Sequence, residues 1–134
     1  MNKIEEVLKS MTFEFFGAGK HKITPAMHLA EKNALFLDVR SYRETQTLAF
    51  SLVHHMPVLH IPVDEIPDRV NEIPKDKNVG IFCSSSIRAT MVYLYLRAIG
   101  FENVRIITGG YADFVEELKP GKLLKQLSAK RDQK

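Results

Sequence analysis

One cysteine and one arginine stand close together in the stretch Cys83-Ser84-Ser85-Ser86-Ile87-Arg88, with three serines between them. Cys83 is the only cysteine in the 134 residues. The flanking residues suggest what this cysteine does. Residues 79–82, Val-Gly-Ile-Phe, form a short apolar strand, and residues 89–99 are rich in Ala, Val, Tyr, Leu and Ile at helical spacing. A strand that feeds a helix through a tight loop aims backbone N–H groups into one small space. The helix N-terminus adds partial positive charge, so the place suits an anion. A cysteine set there is drawn towards its nucleophilic thiolate. Arg88 brings a permanent charge and five donors, and the serine hydroxyls leave access open. A lone cysteine at a strand end would read as a packing group. The serines, the arginine and the following helix together favour the reactive reading.

The elements that must position this loop alternate along the chain. Residues 34–37 read as a buried strand running into Asp38-Val39-Arg40, residues 58–61 as another, and residues 104–107 as the last. Thr24-Pro25 reads as an N-cap and first helical position, with the helix reaching about Lys32. Ser41 caps a helix from Tyr42 with Glu44 in its first turn. A short helix spans residues 68–73 before Pro74. The helix after the cysteine loop, apolar on nearly every side, is expected to be packed inside the domain. Gly100 then supplies a left-handed cap. Gly109-Gly110 turns the chain into a helix over residues 111–118, which Pro120-Gly121 ends. Such alternation predicts a parallel sheet covered by helices on both faces. Ligands of such sheets bind beyond the carboxyl ends of the strands, where Cys83 lies.

The segments bearing these residues resemble the rhodanese superfamily. Cys83 to Arg88 is similar to its active-site loop, Cys-x-x-Gly-x-Arg. Leu37-Asp38-Val39-Arg40 is similar to its Asp-Val-Arg, His60-Ile61-Pro62 to its Asn-Ile-Pro, and Gly109-Gly110-Tyr111 to its late Gly-Gly turn. The resemblance spans residues 23–118. It implies an α/β three-layer fold with a central, mostly parallel sheet and helices on both faces. It also implies a sulfurtransferase in which Cys83 carries a persulfide, cradled by the loop residues Ser84, Ser85, Ser86, Ile87 and Arg88. Asp38 and Arg40 would be scaffold near the site. Related phosphatases have one more residue between Cys and Arg, so the shorter loop here suits a single sulfur atom better than a phosphate. Two departures stand out. Ser86 replaces the usual loop glycine, a steric cost wherever that position needs a positive φ. The family's Gly-His-Ile-Pro-Gly-Ala stretch reads Val53-His54-His55-Met56-Pro57-Val58-Leu59, without either glycine and farther than usual from Glu44.

The sulfur donor implied is a small anion such as thiosulfate or a persulfide, and the acceptor a thiol, cyanide or a partner protein. No cofactor is expected. The single cysteine excludes an intramolecular disulfide and leaves no second thiol to resolve an oxidised Cys83. A non-catalytic carrier or binding module is the alternative. A phosphatase or arsenate-reductase-like enzyme is a further one, disfavoured by the short loop. Adjacent His54 and His55 point to opposite faces of an extended segment and make a poor chelate, and His60 is not fixed near them, so no metal site is expected.

Charge and composition bound the rest. A chain of this length with 45% apolar residues supports one packed domain. The formal charge of +3 is uneven, since residues 119–134 hold six of the 19 basic residues and one acidic residue. This run reads as a solvated basic terminus, with Leu123, Leu124 and Leu127 able to dock loosely and no nucleic acid expected. Ile4, Val7, Leu8, Met11 and Phe15 predict one amphipathic helix over residues 1–16, packed on the domain. The organisation expected is an N-terminal helical extension (1–20), a rhodanese-like domain (21–120) and a basic C-terminal tail (121–134). No apolar run spans a membrane and the first residues lack a signal-peptide core, so a cytoplasmic place is expected.

Overall fold

The structure, a computed structural model, describes residues 2–133. Five strands form one sheet: β1 (Lys22–Ile23), β2 (Ala34–Asp38), β3 (Val58–His60), β4 (Asn78–Phe82) and β5 (Val104–Ile107). Their order is β1-β5-β4-β2-β3 and every neighbouring pair is parallel. The sheet is therefore all-parallel, as buried βαβ crossovers favour. β4 lies in the middle, with β2 on one side and β5 on the other.

The helices are α1 (Lys3–Ser10), α2 (Phe13–Ala18), α3 (Pro25–Ala30), α4 (Tyr42–Thr47), α5 (Ile66–Arg69), α6 (Ile87–Ala98), α7 (Gly110–Glu116) and α8 (Pro120–Asp132). Short 3-10 turns, Val63–Glu65 and Val70–Glu72, flank α5. Side chains alternate across the sheet because the strand period is two. Leu35, Leu37, Val39, Val79, Ile81 and Cys83 enter the core that includes Val92, Tyr93 and Leu96 of α6. Ala34, Phe36 and Phe82 enter the opposite core with Leu29 and Phe114. Cys83 thus continues the row of Val79 and Ile81, and its sulfur is carried to the α6 face.

Three expectations are corrected. First, two helices, α1 and α2, stand where one is expected over residues 1–16. Asn2 and Glu5 make a capping box at the start of α1. The Ser10 hydroxyl then bonds back to the Val7 carbonyl, and the Thr12 hydroxyl accepts the Phe15 N–H to start α2. Local side-chain bonds of this kind compete with a continuous helix. α1 packs against α6 through the buried Val7. Second, α6 is not enclosed on every side: Ile87 and Met91, at its start, are 63% and 61% exposed. Third, the basic run is not a solvated terminus. Pro120 occupies the first turn of α8, where its missing N–H costs nothing, so it starts a helix instead of ending one. α8 packs on α3, with Gln126 buried and its amide donating to the Glu117 carbonyl at 3.0 Å. α3 itself stops at Ala30 and α7 at Glu116, each two residues short of the expected end. Among the described residues no helix is long and apolar enough to cross a membrane.

Candidate active site

The Cys83 loop sits at the carboxyl end of β4, between that strand and the first turn of α6. Cys83 is fully buried, and its Sγ accepts the backbone N–H of Ala89 at 3.3 Å. The bond joins the last residue of the strand's inward row to the first turn of the helix. A donor aimed at sulfur from a helix N-terminus stabilises negative charge there.

Ser86 is the N-terminal flanking residue of α6 and holds φ 72°, ψ −9°, the left-handed region. The position therefore does demand the conformation glycine adopts freely. Its carbonyl accepts from Thr90, through the backbone N–H at 3.0 Å and the hydroxyl at 2.8 Å, and its own hydroxyl reaches the Ile107 carbonyl at 3.4 Å. Ser86→Gly is expected to raise stability by about 0.5–1 kcal/mol, the relief of strain exceeding the extra freedom glycine gives the unfolded chain. Chemical denaturation checks this as a higher midpoint at unchanged slope; a lower midpoint would show that the serine bonds outweigh the strain.

Two braces hold the loop. The first runs from β2 through α7. Arg40 is fully buried and donates from Nε and Nη2 to the Asp38 carboxylate at 2.6–3.1 Å. Its Nη1 donates to the Tyr111 hydroxyl at 2.7 Å, and its guanidinium lies 5.3–5.5 Å from the ring centres of Phe50, Phe82 and Tyr111. Burial works against the Arg40 cation, but the bonds to Asp38 and Tyr111 outweigh it and hold the pKa above the usual arginine value. The Tyr111 N–H in turn donates to the Ser84 carbonyl at 3.4 Å. Only glycine fits next to that contact: a Cβ on Gly110, whose φ is 58°, would stand 2.1 Å from the Ser84 carbonyl oxygen.

The second brace comes from α4. Ser41 and Glu44 form a capping box, and the Glu44 carboxylate also takes both Nη1 (2.6 Å) and Nη2 (2.9 Å) of Arg88. Arg88 Nη2 donates as well to the Ser84 hydroxyl at 2.9 Å. The bonds from Arg88 hold the Glu44 carboxyl down at about 2, with Ser41 contributing and partial burial opposing. Its native value lies below the ordinary 4.5, so the folded state binds fewer protons. The contribution of the pair is complete above about pH 4.5 and disappears as pH falls to about 2. Solvent screening at this partly exposed pair limits it to about 1 kcal/mol. Glu44→Gln is expected to flatten the acid limb of the stability profile by that amount; an unchanged limb would contradict the pairing.

The loop residues expected from the sequence, Cys83, Ser84, Ser85, Ser86, Ile87 and Arg88, run without a break from the end of β4 into the first turn of α6, with Asp38 at the end of β2 and Arg40 just beyond it supporting them through Tyr111. Glu44 and Tyr111 were not singled out as site residues. The Gly-Gly-Tyr turn pointed to Tyr111, whereas Glu44 was visible only as a helix-cap residue. The histidines lie apart. His60 donates to the Arg40 carbonyl at 2.6 Å, and His55 pairs with Gln126 at 3.2 Å. Among the described residues no three His, Cys, Asp or Glu side chains are grouped to hold a metal ion.

The family model of the rhodanese-like domain matches residues 26–117, well over half of the chain and all of the loop and its braces. The chain belongs to the rhodanese-like domain family. Its fold is also that of a rhodanese-related protein from Thermoplasma volcanium, with a TM-score of 0.63, 23% identity, and 75% and 95% of the two chains covered. In sequence this rhodanese-like domain is 28% identical over 118 residues to the uncharacterized protein YqhL of Bacillus subtilis, covering 88% of this chain and 81% of that one. It is 31% identical over 78 residues to a tRNA sulfurtransferase of Mannheimia succiniciproducens, covering 58% of this chain and 16% of that protein. The rhodanese-like chain thus spans a small part of the length of that curated relative. α1 and α2 precede the matched residues and α8 follows them.

Proposed function

We propose that the protein is a sulfurtransferase that moves a sulfane sulfur through a persulfide on Cys83. The observation that carries this reading is the Cys83 sulfur at the carboxyl end of the central strand, receiving the Ala89 N–H inside a loop held from both sides. In the first half-reaction the Cys83 thiolate attacks the outer sulfur of a small anionic donor, thiosulfate or a persulfide. The donor's sulfur–sulfur bond breaks and its electron pair leaves with the remainder of the donor. The N–H groups of the loop and of the α6 N-terminus stabilise the charge left on the outer sulfur. In the second half-reaction a thiol, cyanide or a partner protein attacks that sulfur and the Cys83 thiolate is restored. Arg88, bonded to Ser84 and Glu44, sets the shape of the loop. The membership in the rhodanese-like family and the sulfurtransferase name of one relative support this reading.

Two half-reactions through one covalent intermediate give ping-pong kinetics. Sulfur transfer to cyanide, measured at several donor concentrations, is expected to give parallel double-reciprocal lines. Intersecting lines would mean a ternary complex and would contradict the persulfide route.

A second reading, a sulfur carrier or binding module without turnover, has one observation in its favour: Cys83 has no solvent-exposed surface. It expects a persulfide that persists in the presence of small acceptors. The cytoplasmic place drawn from the sequence remains part of this proposal.

A further inference from the structure

We infer that an apolar groove between α5 and α6 is the docking surface for a partner protein that presents an apolar segment flanked by lysine or arginine. The inference rests on the sulfurtransferase reading, because it assigns the groove to a protein that exchanges sulfur with Cys83.

The groove has a volume of about 170 Å³. Val63, Ile66 and Pro67 form one wall, and Met91, Val92 and Tyr95 of α6 form the other. Pockets that take whole small molecules start at about 300 Å³, so this one suits a side chain or two of a larger partner. It lies along the helix that begins at the Cys83 loop. Met91 follows Ile87 by four residues, about one helical turn or 6 Å, so the two side chains share a face of α6. Both are exposed, so an apolar strip runs from the mouth of the loop to the groove. A single exposed apolar side chain is ordinary, but a strip that leads into an apolar groove with a charged rim marks an interaction site.

The rim sets the charge of the partner. Residues 63–72 hold four acidic residues and one basic one. The basic one, Arg69, is taken by Glu65 at 3.0 Å and by Glu72 at 2.7 Å. Asp64 and Asp68 are exposed on either side of Ile66 and Pro67 in the chain. Lysine or arginine beside apolar anchors complements this wall, and an acidic segment is repelled by it. The wall is also formed in advance. The Tyr42 hydroxyl donates to Glu65 at 3.0 Å and accepts from Arg69 at 3.3 Å. Tyr42 lies on α4, the helix whose Glu44 holds Arg88 of the loop. One short helix thus supports both the loop and the groove, and a segment seated there has little surface to reorder.

The test uses the whole isotope-labelled protein and two peptide probes, one of alternating leucine and lysine ending in cysteine, the other with glutamate for each lysine. Amide shifts on adding the leucine–lysine peptide are expected to concentrate in residues 63–68 and 87–95, with binding at least about tenfold tighter than that of the leucine–glutamate peptide. With Cys83 loaded, the leucine–lysine peptide is expected to accept sulfur with a KM about tenfold lower. Asp64→Lys combined with Asp68→Lys is expected to weaken its binding about tenfold, and Met91→Ala about fivefold, each with sulfur transfer to cyanide within about twofold of wild type. Shifts centred elsewhere, equal binding or equal KM for the two peptides, or variants that bind as wild type does, overturn the docking assignment. Concentration-dependent shifts of the same residues in the protein alone would assign the groove to a second copy of the chain and also overturn it. If a charge variant does not fold, the two peptides on wild type decide. The shifts need no sulfur, so a Cys83 that takes up none removes the sulfurtransferase reading and is told apart from a failure of docking.

Discussion

Cys83→Ser is expected to lower sulfur transfer from any sulfane donor to cyanide by at least about 10³-fold, with the fold retained. The substitution is the smallest that removes the reacting atom. A serine oxygen can still accept the Ala89 N–H, so the junction of β4 and α6 keeps its bond. Placing a hydroxyl where the fully buried thiol stood costs about 1–2 kcal/mol, too little to unfold a domain of this size. Activity and stability therefore separate: transfer disappears while the circular dichroism spectrum is unchanged. Transfer within about tenfold of wild type would show that the chemistry does not pass through this sulfur. Loss of transfer together with loss of structure would make the assay uninformative about the sulfur, and the spectrum is the control that distinguishes the two cases.

Asp38→Asn is expected to destabilise the protein by about 3–5 kcal/mol, the largest stability effect foreseen here. Arg40 is fully buried, and three of its side-chain bonds go to Asp38. With asparagine in place, the guanidinium stays charged and buried with one neutral amide oxygen, the Tyr111 hydroxyl and ring faces around it and no anion to balance it. Leaving one member of a buried pair alone costs more than removing both. Adding Arg40→Met to the variant is therefore expected to recover at least about 1 kcal/mol. Thermal or chemical denaturation of the single and double variants measures both numbers. A double variant less stable than the single one would show that Arg40 contributes mainly by packing. The same variant reaches the active site through the chain Arg40, Tyr111, Ser84, so sulfur loading is expected to fall even under conditions where the protein is still folded.

How far the sequence could be read depended on distance along the chain. The strand, loop and helix around Cys83 are contiguous, so a short apolar run passing into helical spacing marks them: residues 79–82 are read as the strand, and β4 spans Asn78–Phe82. The caps Thr24 and Ser41 were visible because each bonds within three residues. Ser86 showed a steric problem as soon as glycine was expected in its place, and φ 72° makes that problem concrete. The braces were not visible as contacts. Arg88 meets Glu44 across 44 residues, and Arg40 meets Tyr111 across 71, and no local pattern encodes where α4 and α7 come to rest. The α1–α2 break followed from hydroxyls bonding back to the helix, which apolar spacing does not register. The α8 helix was hidden by Pro120, which reads equally as an end or a beginning until Gln126 is seen buried beside α7.

The most direct test of the central claim is mass spectrometry of the intact protein and of its peptides after brief exposure to glutathione persulfide and removal of the excess. A Cys83 persulfide predicts the gain of one sulfur atom, located on the peptide that contains Cys83 and lost on adding cyanide. No gain, or a sulfur located elsewhere, would contradict it.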